Sequence, residues 1–369
     1  MEHRRIKYTS IEFIRFLAAA AVAMYHFGSF YLNVERFFPL SYIFVEFFFI
    51  VSGFFMMKHI CEKSDSMEPI PYVFKKISGF FPILSVTFFV QLIIFSLSNE
   101  LASAGAVLGQ LFHFKWEFFL LHAAGFIQNP TFGVDYLQGQ TWYLSAMVIS
   151  LLLAYPLAKY FRKVFSYLIC PLSCVIIYSY IVQTMGTLNV GNEYFGFILA
   201  AIPRGFAGTC AGCMTYNAYT YLKDKKLNKT LATTLEILAY GSIMALFVLG
   251  RQFEGEDSLF YVLVFSAVVA LAVLNQTAIS KFFNEKIIKP LEFLGKFSLY
   301  LYLCHWNVLM GMRYVMEDMA TVPAFGIYTV ICLLYSWILM YLDKKRKGWK
   351  EIIIINVILL MIAIMTGLF

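Results

Sequence analysis

Charge is scarce in this chain. Only 14% of its 369 residues are Asp, Glu, Lys or Arg, while 60% are hydrophobic. No long hydrophilic stretch is present that could fold as an appended soluble domain, and neither an internal repeat nor a low-complexity tract is visible. No cleavable signal peptide is expected either: the basic start leads into an apolar run too long for an h-region, with no small-residue cleavage site. The seven cysteines are not expected to form a disulfide framework, since six lie inside hydrophobic runs and Cys61 falls on the side expected to face the reducing cytoplasm. The Cys210-Ala-Gly-Cys213 spacing sits among small residues, where helix packing is a better reading than redox or metal chemistry.

What remains is a set of long apolar runs at a mean hydropathy of +0.72. They predict an all-α integral membrane protein, a polytopic bundle of about eleven transmembrane helices forming one domain over 1–369. The spans fall at 8–31, 41–60, 78–98, 141–160, 164–183, 196–218, 231–250, 258–278, 291–313, 324–342 and 351–368. With the N-terminus in the cytoplasm, the cytoplasmic segments collect 22 of the 29 basic residues. The outer segments hold only Arg36, Lys115, Arg251 and Arg313. That asymmetry supports an odd number of crossings, with the C-terminus outside. It also accounts for the net charge of +7 without invoking nucleic acid. The longest outer segment, 99–140, is aromatic-rich and is expected to lie in the interface or to re-enter the protein.

Ionisable groups inside spans are costly and therefore informative. Glu12, Arg15 and His26 share the first span. Eleven residues bring Arg15 and His26 to within roughly 20° of one helix face, about 16 Å apart along the axis. His26 and Glu46 fall at one depth on antiparallel neighbours. A carboxylate beside an imidazole orients a general base, but a structural hydrogen bond between two helices has the same pattern. Glu12, three before Arg15, either neutralises it or positions it for an anionic ligand, and spacing alone does not decide. Lys75 and Lys76 precede the third span, where the positive-inside rule already places lysines; a phosphate site is the sharper reading. His305 lies past the middle of the ninth span in an aromatic run. Trp142 and Tyr143 open the fourth span as an aromatic belt or a sugar-stacking surface. Arg204, inside the sixth, requires a counter-charge, and Glu46 is a candidate.

Taken in order, these residues resemble acyltransferase family 3, the membrane-bound O-acyltransferases of surface glycans. The opening signature appears as Glu12, Arg15 and His26 in IEFIRFLAAAAVAMYH. The second appears as VEFFFIVSGFF, with Glu46 in its acidic slot and Ser52-Gly53 intact. Trp142-Tyr-Leu-Ser145 supplies the third and GKFSLYLYLCHW, from Gly295 to His305, the fourth. Two departures stand out. KKISGFFP has lysines and Gly79 in a stretch that is often Arg-rich, and Met147 stands where many relatives have Glu.

The resemblance implies a ten-helix core over about 8–345, with the helix at about 351–368 as an addition. It implies transfer of an acetyl (acyl) group from cytoplasmic acetyl-CoA to a hydroxyl of an extracytoplasmic or lipid-linked glycan, in the plasma (inner) membrane of a bacterium. No metal or nucleic acid is implied; the partners are the glycan or glycolipid acceptor and membrane lipids, and homo-oligomerisation stays open. The catalytic residues are then His26, oriented by Glu46, and His305. Arg15, Glu12, Lys75 and Lys76 hold the donor, and Trp142, Tyr143 and Arg204 bind substrate, with the 127–141 loop against the sugar. Two rival readings remain: a transporter or flippase of a lipid-linked glycan, and a catalytically silent relative.

Overall fold

The structure is a computed structural model. It describes residues 8–366 apart from 33–37, 64–65, 102, 125–136, 192, 196–197, 250–254, 317–318 and 347. Helices dominate. α1 (Thr9–His26) runs on into a π-helical turn, Phe27–Tyr31, and is followed by α2 (Phe44–Glu62) and α3 (Pro69–Ser98). The segment before the next long helix holds α4 (Ala104–His113) and α5 (Lys115–Phe118). Then come α6 (Trp142–Tyr160) and α7 (Arg162–Met185). A two-residue hairpin, β1 (Tyr194–Phe195) with β2 (Ile198–Leu199), leads into α8 (Ala201–Leu222). The chain finishes with α9 (Lys229–Val248), α10 (Gly255–Leu274), α11 (Ala278–Glu285), α12 (Ile288–Val315), α13 (Thr321–Lys345) and α14 (Trp349–Thr366).

Local chemistry sets several of these ends. Ser103, Asn228 and Thr277 accept the N–H groups of Ala106, Leu231 and Ser280, capping α4, α9 and α11. Pro69 opens α3, where its missing N–H costs nothing. Gly186, at φ +69, closes α7 in the left-handed conformation that favours glycine.

All eleven expected spans are present as long helices, and the chain is an all-α polytopic membrane protein. One start differs: α3 begins at Pro69, so Lys75 and Lys76 lie within the helix instead of preceding it. Among the described residues, nine helices are long and apolar enough to cross a membrane by length and composition. α8 and α12 fall short of that apolarity, yet they hold the middle of the bundle. α8 packs on α2, α6, α7 and α10, while α12 packs on α1, α3 and α13. Part of the 99–140 segment turns inward, with Glu117, His122, Leu137, Gln138 and Gln140 buried, while Leu108, Phe112 and Phe119 stay exposed. Leu137 and Gln138 donate their backbone N–H groups to the Glu117 carboxyl, which ties the entry to α6 down onto α5. Burial pushes that carboxyl up to about 8 against the pull of the two donors.

Small residues let α2 and α8 approach closely. A Cβ on Gly53 would stand 2.0 Å from the Thr209 carbonyl oxygen, and one on Gly212 would stand 2.1 Å from that of Ile50. Cys213 lies in this seam with its thiol 3.8 Å from the Gly53 carbonyl, the packing role read from its surroundings in the sequence.

Candidate active site

α1 and α12 cross so that the last residue of α1 meets the middle of α12. His26 Nδ1 lies 2.8 Å from His305 Nε2, with the rings nearly parallel at 8° and their centroids 5.1 Å apart. Hydrogen-bond chemistry settles the tautomers of the neutral pair. His305 Nδ1 is 2.7 Å from the Tyr302 carbonyl and 3.3 Å from that of Leu301. Carbonyls only accept, so His305 Nδ1 carries the proton and its Nε2 accepts. His26 Nδ1 must then donate, and the lone pair of His26 sits on Nε2. The π turn begins immediately after His26, where the helix widens. Tyr328 reaches across from α13 to donate to the Ala23 carbonyl at 3.0 Å, in the last turn before it.

Glu46 is not the group that orients His26. Its Oε1 accepts from Arg204 Nε at 2.6 Å and its Oε2 from the Tyr178 hydroxyl, so both carboxylate oxygens are engaged elsewhere. Glu46 and Arg204 are 0% and 1% exposed; this is a buried ion pair, the counter-charge that an intramembrane arginine needs. Gly208 makes room for it, since a Cβ there would meet Glu46 Oε2 at 3.0 Å. The orientation expected from a carboxylate comes instead from the second imidazole, 279 residues away in sequence.

Arg204 itself lines a cavity of about 220 Å³ together with His26, Trp142 and Tyr143. Each of its three nitrogens is committed to a protein acceptor: Nε to Glu46, Nη1 to the Val190 carbonyl at 2.7 Å and Nη2 to that of Tyr42 at 3.1 Å. The guanidinium also lies 5.5 Å from the Trp142 ring centre. Arg204 therefore ties the cavity wall together with three of its five N–H donors. Gly191 lies flat against Trp142, where a Cβ would come within 3.0 Å of the indole.

A second cavity, of about 240 Å³, lies along the same helix toward its start. Glu12, Arg15, Ser52 and Lys76 line it. Arg15 Nη1 bridges both carboxylate oxygens of Glu12, at 3.0 and 3.2 Å. Glu12 in turn occupies space that only a glycine leaves open, because a Cβ on Gly295 would stand 2.0 Å from its Oε2. Lys75, one residue from Lys76 and so turned about 100° around α3, does not line this cavity. α1 thus places Arg15 in one cavity and His26 in the other.

Several lining residues escaped the sequence reading. Asn189 and Glu193 enter the His26 cavity from connecting segments that carry no periodic pattern, whereas Gln140, which also lines it, belongs to the 127–141 loop expected there. Tyr25 next to His26 donates nothing to the ring but accepts Asn189 Nδ2 at its hydroxyl, 3.0 Å away. Tyr302 had an available signal: it lies three residues before His305, on the same helix face. Residues 127–136 of the loop expected against the sugar lie outside the described residues.

The family model for acyltransferase family 3, described as an acyltransferase domain, matches residues 8–341. The chain belongs to that family. The match takes in both cavities and ends within α13, so α14 lies beyond it. No curated protein and no solved structure matches the chain.

Proposed function

We propose that this family member, a membrane acyltransferase, moves an acetyl group from cytoplasmic acetyl-CoA to a hydroxyl of an extracytoplasmic or lipid-linked glycan. It would work in a bacterial plasma membrane, with the N-terminus in the cytoplasm and the C-terminus outside. One observation carries the reading: His26, paired with His305 in a defined tautomer, lines one cavity, and a separate cavity bearing Arg15 and Lys76 lies at the other end of the same helix.

In this mechanism His26 Nε2 takes the proton of the acceptor hydroxyl as its oxygen attacks the thioester carbonyl carbon. The C–S bond breaks, and the proton held on His26 passes to the departing sulfur, so the products are the ester and free CoA. As His26 becomes cationic, His305 Nε2 accepts from its Nδ1–H and shares the charge, while the Tyr302 carbonyl holds His305 in the required tautomer. Glu46 and Arg204 act as positioning residues for the Trp142 and Val190 wall. At the other end, Arg15 and Lys76 supply point charges for the phosphates of the donor, with Glu12 setting the Arg15 rotamer.

The test compares cells carrying the wild-type chain, a deletion and His26→Ala at matched expression. O-acetyl on surface glycans is measured by proton NMR and mass spectrometry. The mechanism predicts loss in both altered strains, with the residual rate of the point variant down by roughly 10²–10⁴-fold. A folded His26→Ala chain that keeps full transfer would refute it, as would an unchanged acyl pattern in the deletion.

A further inference from the structure

Two side-chain amides line the His26 cavity, and both are oriented by the protein. Asn189 gives its Nδ2 to the Tyr25 hydroxyl, and Gln140 gives its Nε2 to the Leu303 carbonyl at 3.3 Å. A carbonyl only accepts, so the Gln140 amide has one possible orientation. Each amide keeps an oxygen that receives no hydrogen bond among the described residues, and in Gln140, at 1% exposure, that oxygen is buried. A buried acceptor without a donor is costly, and a ligand hydroxyl would supply one. The charges run in one direction as well. Among the described lining residues, Arg204 and Glu193 are the acid–base groups ionised at neutral pH. Arg204 is balanced by Glu46 at 2.6 Å. Glu193, just before β1, accepts the Gly191 N–H at 2.6 Å and meets no cation among the described residues. A His26 ready to act as a base is neutral, so the lining is left with one net negative charge.

We propose that the acceptor ring of this enzyme bears no carboxylate or phosphate, and that Glu193 enforces the choice. The proposal rests on the acyl-transfer reading above and names the substrate class of that site. A ring with hydroxyls alone gives protons to Gln140 Oε1, to Asn189 Oδ1 and to the second oxygen of Glu193, while the reacting hydroxyl faces His26 Nε2. An ionised acid group on the same ring has no proton to give. It also meets the like charge of Glu193 with no unbalanced cation beside it.

The experiment uses the full chain in lipid nanodiscs, with acetyl-CoA as donor and membranes from the deletion strain as the acceptor source. Thiol release is followed at low ionic strength, where an exposed charge is least screened. The product glycan is then hydrolysed to single sugars under conditions that spare the ester, and mass spectrometry identifies the ring that carries acetyl. That ring should have neither carboxylate nor phosphate. Methyl glucoside and methyl glucuronide, with a hydroxymethyl and a carboxylate on the same carbon, are added as competitors. The glucoside should inhibit wild type at least about fivefold more strongly. Glu193→Gln removes the charge and keeps an acceptor for the Gly191 N–H, and it should erase most of that difference. Acetyl on a uronate or phosphorylated ring would overturn the proposal, as would an inhibition ratio that Glu193→Gln leaves unchanged. The acetylated ring decides the matter even where the free sugars bind too weakly to compete. A wild type that releases no CoA would remove the acyl-transfer reading itself, an outcome distinct from acetyl on the wrong ring.

Discussion

α12 and α14 are both long helices of one membrane protein, and they invert the usual relation between apolarity and burial. α14 is strongly apolar, yet only 11% of its 18-residue window is buried; Ile353, Ile354, Val357 and Ile358 point outward. α12 carries Lys296, His305, Asn307 and Arg313 and misses the apolarity needed to stand alone in lipid. Even so, its residues Tyr300 to Leu309 are buried without a break. In water a core is recognised by being more apolar than the surface. In a bilayer the solvent is itself apolar, so no hydrophobic gain draws a helix inward. Polar side chains are what must be covered, and they take the centre of the bundle. α8, with Arg204, repeats the pattern of α12. These two least apolar of the long helices supply His305 and Arg204.

This contrast can be broken most severely at the buried charge. Arg204→Ala takes the counter-charge from Glu46, which is 0% exposed, and should destabilise the fold by about 3–5 kcal/mol. Replacing both partners, Glu46→Leu with Arg204→Met, should recover much of that loss, seen as a partly restored unfolding midpoint in detergent. A double variant less stable than either single one would count against a charge-driven seam.

Packing offers the next comparison. Leu303→Ala on α12, at 0% exposure, should cost about 2–5 kcal/mol. Ile358→Ala on α14, at 51% exposure, should stay within about 0.5 kcal/mol. Equal effects in parallel thermal melts would mean that α14 is packed as tightly as α12.

At α5 the expected effect depends on pH. With the Glu117 carboxyl raised to about 8, its folded-state value lies above the unfolded one. Its contribution to stability is complete below the ordinary carboxylate range and is lost as the pH rises through about 8. The wild-type melting temperature should therefore fall between pH 6 and pH 9 by more than that of Glu117→Ala. The same slope in both proteins would remove Glu117 as the cause.

Much of the fold was open to reading before any coordinates. Twenty apolar residues in a row can only be a helix in lipid, and the asymmetry of 22 basic residues against four indexes the crossings. The need of Arg204 for a carboxylate could also be stated in advance, because an isolated intramembrane cation is prohibitive. The equal depth of His26 and Glu46 was read too narrowly. Depth names every group at one level, and Arg204, with a full charge, has the stronger claim on the carboxylate than a neutral imidazole.

The amino-acid sequence by itself determined the class, the helices, the family signatures and the titratable residues from which a site could be built, because each follows from local composition and from the cost of polarity in lipid. Only the tertiary structure decided which of those residues meet. His26 faces His305 because α1 packs on α12; Arg204 holds Glu46 because glycines let α8 press against α2; and Phe48, Tyr143 and Tyr302 converge from three helices to line both cavities. Such meetings depend on rotations and crossing angles summed over hundreds of residues, and local pattern carries no record of them.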